Sequence, residues 1–364
     1  MAFYRPLKLL VLNEIPEATM ACLNASKPSN DDGSFRPIGW ALFAVTLLGF
    51  ASICSLLVGP VAVDLGTVWA ALFAFNSEDT AQIVVRELRL PRTLLAITSG
   101  ACLGAAGSIT QGVTRNPLGG PGILGINAGA AFAMVTAIHG LNILTPKGYV
   151  WFAFLGAVAA GTLVYGVARV GPGGITPVKL ALAGAVLTAL LSAWTSTLLL
   201  LDEETLDEAR FWLAGSLTGR GTEEMRLLFP LILVAVGAAL LLGSSLNTLS
   251  LGEEAAASLG QRVGVVRLWS GLVSVILAAS AVAIAGPIAF VGLAVPHIAR
   301  SLVGPDYRWI TVLGLLFGPS LLLMADILGR IVVSPQELQV GIVTSLVGAP
   351  FLIFLVRSKR LAEL

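Results

Sequence analysis

Charged residues are scarce in this 364-residue chain, at 12%, where a soluble globular protein carries about 25%. Lys and Arg number 22 and Asp and Glu 21, and a net charge of +1 excludes a nucleic-acid-binding module. With 56% hydrophobic residues the chain is neither intrinsically disordered nor an ordinary cytosolic enzyme. Cysteine is rarer still: Cys22, Cys54 and Cys102 are too few and too scattered for a disulfide framework or a zinc site. No lysine follows a glycine, so a GxxxxGK[ST] phosphate loop is absent, and with it ATP hydrolysis by that route. HExxH, CxxC and GxSxG are also missing, and the histidines are His139 and His297 alone. The 40 glycines follow no fixed period and lie inside apolar runs, where membrane helices use them for close packing.

What is present is apolar length. A helix needs about 20 mainly apolar residues to cross the hydrocarbon core. Runs of that kind fall near 39–60, 94–113, 122–141, 149–169, 179–201, 227–245, 268–286, 311–329 and 340–357. A shorter run, 288–303, contains Pro296, His297 and Arg300, and decides between nine spans and ten. Ten spans with both ends inside place fourteen of the 22 basic residues in the cytoplasm, as the positive-inside rule prefers. Residues 1–38 read as a polar cytoplasmic tail, 39–357 as the transmembrane domain and 358–364 as a cytoplasmic end.

Two connections exceed a simple turn. Residues 202–226 lie outside and include the apolar stretch from Phe211 to Leu217, too short to span. Residues 246–264 lie inside. There Leu246, Leu249 and Leu251, then Ala255, Ala256 and Leu259, can form the apolar side of short helical turns punctuated by Gly252 and Gly260. Such a segment is a natural docking surface. Ionisable residues within spans reduce essentially to Asp326 and Arg330, four apart on one helical face and able to neutralise each other. An ion-coupled carrier would need more buried carboxylates, and no constellation supports a membrane enzyme.

Several motifs recur in order along the chain. They include Arg89-Leu-Pro-Arg92, Gly100 to Gly107, Gln111, and Arg115-Asn-Pro-Leu118. Further on come Trp212 with Gly215-Ser216, Leu249-Ser-Leu-Gly-Glu253, Gly286 to Leu293 and Pro296-His-Ile-Ala-Arg300. Asp326, Arg330, Pro335, Glu337, Gly341 and Leu346 to Pro350 complete the series. From about residue 40 to 357 this resembles the permease family of ABC importers for iron–siderophore complexes, haem and vitamin B12.

The resemblance implies an all-α integral membrane protein of about ten helices, with a fold like that of the vitamin B12 importer permease. It implies a multi-pass subunit of the bacterial cytoplasmic (inner) membrane that binds no cofactor. ATP and Mg would belong to two partner ATP-binding subunits. A second permease subunit, identical or homologous, would complete the pathway, and a substrate-binding protein would deliver a siderophore-type ligand. By the same resemblance Leu249, Leu251, Gly252, Glu253, Glu254, Ala256, Leu259 and Gly260 form the ATPase-coupling segment, the two glutamates meeting basic residues of that partner. Arg89, Arg92 and Arg330 are the positions that dock glutamates of the binding protein, a bidentate role that suits arginine. Gln111, Arg115, Asn116, Pro117, Pro296, His297 and Arg300 belong to structural or gating motifs. For Arg115 to Leu118 a structural turn is the stronger expectation, and for His297, beside Pro296 at a helix start, a packing role.

One departure stands out: the family's Glu-Leu-Pro-Val-Gly is Glu337-Leu-Gln-Val-Gly341 here. Together with Phe211-Trp-Leu-Ala-Gly-Ser216 it leans toward the iron–siderophore branch, with vitamin B12 or haem as the alternative.

Overall fold

A computed structural model describes residues 35–171, 176–219, 222–334 and 336–357. Most of the expected polar tail, the last seven residues and Pro335 lie outside these segments. Every regular element among the described residues is helical. The first, α1 (Phe35–Leu57), is followed by a short α2 (Leu65–Phe73), whose N-cap Asp64 accepts from the Thr67 amide. A single turn, α3 (Thr80–Ile83), runs through a π-turn over Val84–Arg89 into α4 (Leu90–Thr114). Then come a 3₁₀ turn at Pro121–Leu124, α5 (Ile126–Leu141), α6 (Pro146–Arg169) and α7 (Pro177–Leu201). The chain continues through α8 (Glu203–Leu213), α9 (Glu223–Ser250), α10 (Glu253–Ser258) and α11 (Val263–Ala285). It closes with α12 (Val291–Val303), α13 (Tyr307–Val332) and α14 (Val340–Arg357).

Seven of these helical runs are long and apolar enough to cross a membrane, and three shorter apolar helices, α5, α12 and α14, complete the ten expected. Boundaries moved where the backbone breaks. The second span is a continuous helix from Thr80, so Arg89 and Arg92 sit inside it rather than opening it. The third starts at Ile126 because residues 121–124 form the 3₁₀ turn. The eighth is only 13 residues, because the chain between Gly286 and Phe290 is unwound. Pro296 and His297 therefore lie within α12, not at its start.

The core is built on α4, α11 and α13, which are mostly buried, while α1, α7 and α9 are mostly exposed. Without a water-driven hydrophobic effect between helices, contact in lipid depends on close backbone approach. The small-residue run of α4 provides it. A Cβ on Gly104 would stand 2.1 Å from the Gly314 carbonyl oxygen of α13, and one on Gly107 would stand 1.8 Å from that of Gly292 in α12. Gly100 abuts the backbone of Gly318 and Pro319 in the same way. Ser108, four residues beyond Gly104, turns its hydroxyl back to the Gly104 carbonyl at 2.9 Å.

Non-helical backbone at membrane depth persists only where protein covers it or where it lines a cavity. The Gly286–Phe290 break meets that condition. It borders one cavity with the 3₁₀ turn and a second with Gly341, Ile342 and Ser345 of α14. Phe290 holds φ at +67°, a strained value for an aromatic residue.

Candidate functional site

At 25 residues, α4 spans about 37 Å, so Arg89 and Arg92 lie at one end of the bundle and Arg115 at the other. Each end gathers charge, in opposite ways.

At the first end, α1 stops at Leu57 and leaves its last carbonyls without intrahelical donors. Two distant arginines supply them. Arg89 Nη1 donates to the carbonyls of Leu56 and Leu57, both at 2.8 Å, and its Nη2 donates to Val61 at 2.5 Å. Arg330 Nη1 donates to the carbonyls of Ser55 at 2.8 Å and Val58 at 3.0 Å. Positive charge at a helix C-terminus also complements the helix dipole.

Arg92 completes the cluster. Its Nε and Nη2 grip Asp326 of α13 at 2.6–3.0 Å, and its Nη1 reaches Glu337 at 2.5 Å. Asp326 also accepts from Arg330, four residues on, which bears out the expected local pair. Three guanidiniums thus face two carboxylates.

This corrects the picture of arginines held out toward a partner. Arg89, Arg92 and Arg330 are 5%, 7% and 3% exposed, and their donors are largely committed to their own chain. What remains open is a cavity of about 440 Å³ that all three line, together with Thr218, Gly219 and Glu337. Arg330 Nε is buried and has no hydrogen-bond partner among the described residues. Glu337 lies in the loop before α14. Burial pushes its carboxyl up, but the hydrogen bond and charge of Arg92, then Arg330 and Thr218, hold it below the ordinary glutamate value.

At the opposite end, α9 runs on to Ser250, and the chain then turns through Gly252 at φ +111° into α10. Gly260, at φ +83°, ends the segment. Leu249 and Ala256 are buried and anchor the elbow, as is Leu246. Leu251 and Leu259 do not join them. They are 66% and 68% exposed, standing on either side of α10. Glu253 is half exposed and accepts through Oε1 from Arg267 at 2.7 Å and Arg115 at 3.5 Å. Glu254 is exposed.

The remaining motif residues make contacts within the chain. Gln111 is buried and donates to the Leu293 carbonyl at 3.1 Å, joining α4 to α12. Arg115 takes a left-handed C-cap conformation at φ +48°. Asn116 Oδ1 accepts from the Leu118 amide at 2.9 Å, closing the turn that Pro117 enforces. His297 packs edge-on to Phe351 with ring centroids 6.5 Å apart. Arg300 donates to the Tyr307 hydroxyl and lies over its ring. Sequence reasoning missed the contact of Arg92 with Asp326 and Glu337, whose partners are more than 230 positions away. The only local signal was the Asp326–Arg330 spacing.

Among the described residues, an apolar bundle of seven membrane-length and three shorter helices, with an exposed elbow at one end, defines a polytopic membrane protein. A profile of the FecCD transport family matches residues 47–358. The ferric enterobactin permease FepD of Escherichia coli is 44% identical over 86% of this chain and 93% of its own length. The iron(3+)-hydroxamate import permease FhuB of Bacillus subtilis is 40% identical over 86% and 82%. A solved structure of an inward-facing metal-chelate type ABC transporter superposes with a TM-score of 0.76. It is 31% identical and covers 87% of this chain and 98% of the other. The chain belongs to the FecCD transport family.

Proposed function

We propose that this chain is the permease subunit of an ATP-driven iron–siderophore importer in the bacterial cytoplasmic membrane, residues 39–357 forming its transmembrane domain. The observation that carries the reading is the elbow around α10. Leu251 and Leu259 stand exposed on either side of this short helix at the Arg115 end of the bundle, and apolar side chains gathered in one segment suit an interaction surface. An ATP-binding subunit, holding ATP and Mg, fits that description. The ferric enterobactin and iron(3+)-hydroxamate permeases among the relatives support an iron–siderophore cargo.

A second permease subunit is supported by α7, apolar along its length yet buried only at Leu180, Gly184 and Thr195. The unwound Gly286–Phe290 segment, which borders two cavities, would then line the path. A binding protein would deliver cargo at the arginine end, with an acidic side chain entering the 440 Å³ cavity toward Arg330.

Proteoliposomes containing this chain, its co-purifying ATPase and the binding protein test the reading. ATP-dependent uptake of radiolabelled ferric siderophore is expected, with no uptake of cobalamin or haem. Uptake without the ATPase would identify an ion-coupled carrier instead.

A further inference from the structure

The arginine cluster already contains a carboxylate where an incoming one would bind. Asp326 is sealed in the bundle, its side chain 1% exposed, and grips Arg92 and Arg330 together. Glu337 differs. Its side chain is 25% exposed, it borders the cavity, and it is held by Arg92 at 2.5 Å and the Thr218 hydroxyl at 3.3 Å.

Its position in the chain gives this contact a consequence. Glu337 stands three residues ahead of α14, and the first turns of α14 (Gly341, Ile342 and Ser345) line the cavity bordered by Pro287 and Ala289 in the unwound segment between α11 and α12. The loop is otherwise tied by backbone bonds, Leu338 to Gly329 at 3.0 Å and Gly341 to Gly215 at 2.9 Å.

We propose that Glu337 is a displaceable internal carboxylate, a latch that occupies Arg92 until an acidic side chain of a docking partner replaces it and loosens the start of α14. This rests on the docking reading above. Replacement conserves charge pairing, since one carboxylate leaves Arg92 as another arrives, in a cavity that Arg330 also lines. Binding outside the membrane would thereby reach the pathway helix through a single ion pair.

The test uses the full-length chain in nanodiscs, with a hexaglutamate peptide as the probe, comparing wild type, Glu337→Gln and Thr218→Val. Amide hydrogen exchange over residues 338–345 should quicken about tenfold in Glu337→Gln, the size expected for losing one charge-assisted hydrogen bond. It should quicken less in Thr218→Val. The peptide should bind Glu337→Gln several-fold more tightly than wild type, and should speed exchange at 338–345 in wild type but not in Glu337→Gln. Unchanged exchange in α11 shows that the variant is folded. Equal or weaker peptide binding by Glu337→Gln, or exchange at 338–345 like that of wild type, overturns the latch. Arg92→Gln separates the two readings. Absence of peptide binding in wild type and in every variant removes the docking role, whereas binding that survives Arg92→Gln, or that Glu337→Gln weakens, leaves docking in the cavity intact and removes the latch alone.

Discussion

The two ends of the bundle use the same side chains to opposite effect. At one, arginines and carboxylates are sealed between α1, α4 and α13, with Arg92, Asp326 and Arg330 almost wholly buried. At the other, Arg115, Arg267 and Glu253 meet around an elbow whose glutamate is half exposed. Burial decides what such pairs contribute. A buried charge stripped of its partner is strongly destabilising, whereas an exposed pair is worth little. The first cluster is therefore architecture with one exposed member, and the second a surface shaped for something else to complete.

The comparison breaks most visibly at Asp326. Asp326→Asn leaves Arg92 and Arg330 without their shared counter-charge and should cost about 3–5 kcal/mol, read as a large drop in the unfolding midpoint of the purified protein. A midpoint near wild type would show that water reaches the cluster. At the elbow, Gly252 has φ +111° and ψ 158°, a region almost closed to other residues. Gly252→Ala should introduce about 1–3 kcal/mol of local strain and uncouple ATP hydrolysis from transport in the assembled complex, while global unfolding changes far less than in Asp326→Asn.

Acid should discriminate the ends more gently. Because Arg92 holds the folded pKa of Glu337 below the ordinary value of 4.5, its contribution is complete above that value. It is lost as pH falls through the lower folded value. Wild type should therefore lose stability in that window, and Glu337→Gln should lose less. Parallel pH profiles would contradict the assignment. The smallest effect is expected at Glu253→Gln, whose half-exposed carboxylate pairs with the exposed Arg115 and the largely buried Arg267 and should contribute about 1 kcal/mol, measured by the same unfolding midpoint.

Much of this was legible in the chain. Apolar length gave nine spans and the basic residues favoured a tenth, and the glycines between Gly100 and Gly107 announced the close face of α4. The elbow was visible from Gly252 and Gly260, although which leucines turn outward was not, since Leu249 and Leu251 differ only in how α9 continues past the membrane. The role of Arg89 and Arg330 could not be read. The carbonyls they cap belong to the end of a helix that stops at Leu57 and to the turn just beyond it, and nothing local to Arg89 or Arg330 marks where that helix stops. The strained Phe290 was equally hidden, because hydropathy separates the runs 268–286 and 288–303 but carries no signal of a residue's backbone dihedrals. Where the sequence signal is periodic the structure follows it, and where the structure joins charges across 234 positions the sequence has no means to say so.

The central claim is that the elbow is covered by a partner while the arginine cluster is already closed within the chain. Cysteine protection tests this directly. In a background lacking the native cysteines, Leu251→Cys and Leu259→Cys should react readily with a membrane-impermeant maleimide in the isolated subunit and become protected when the ATP-binding subunit assembles. Thr218→Cys, beside the arginine cavity, should react equally in both states. Unchanged labelling at Leu251 and Leu259 on assembly would contradict the account.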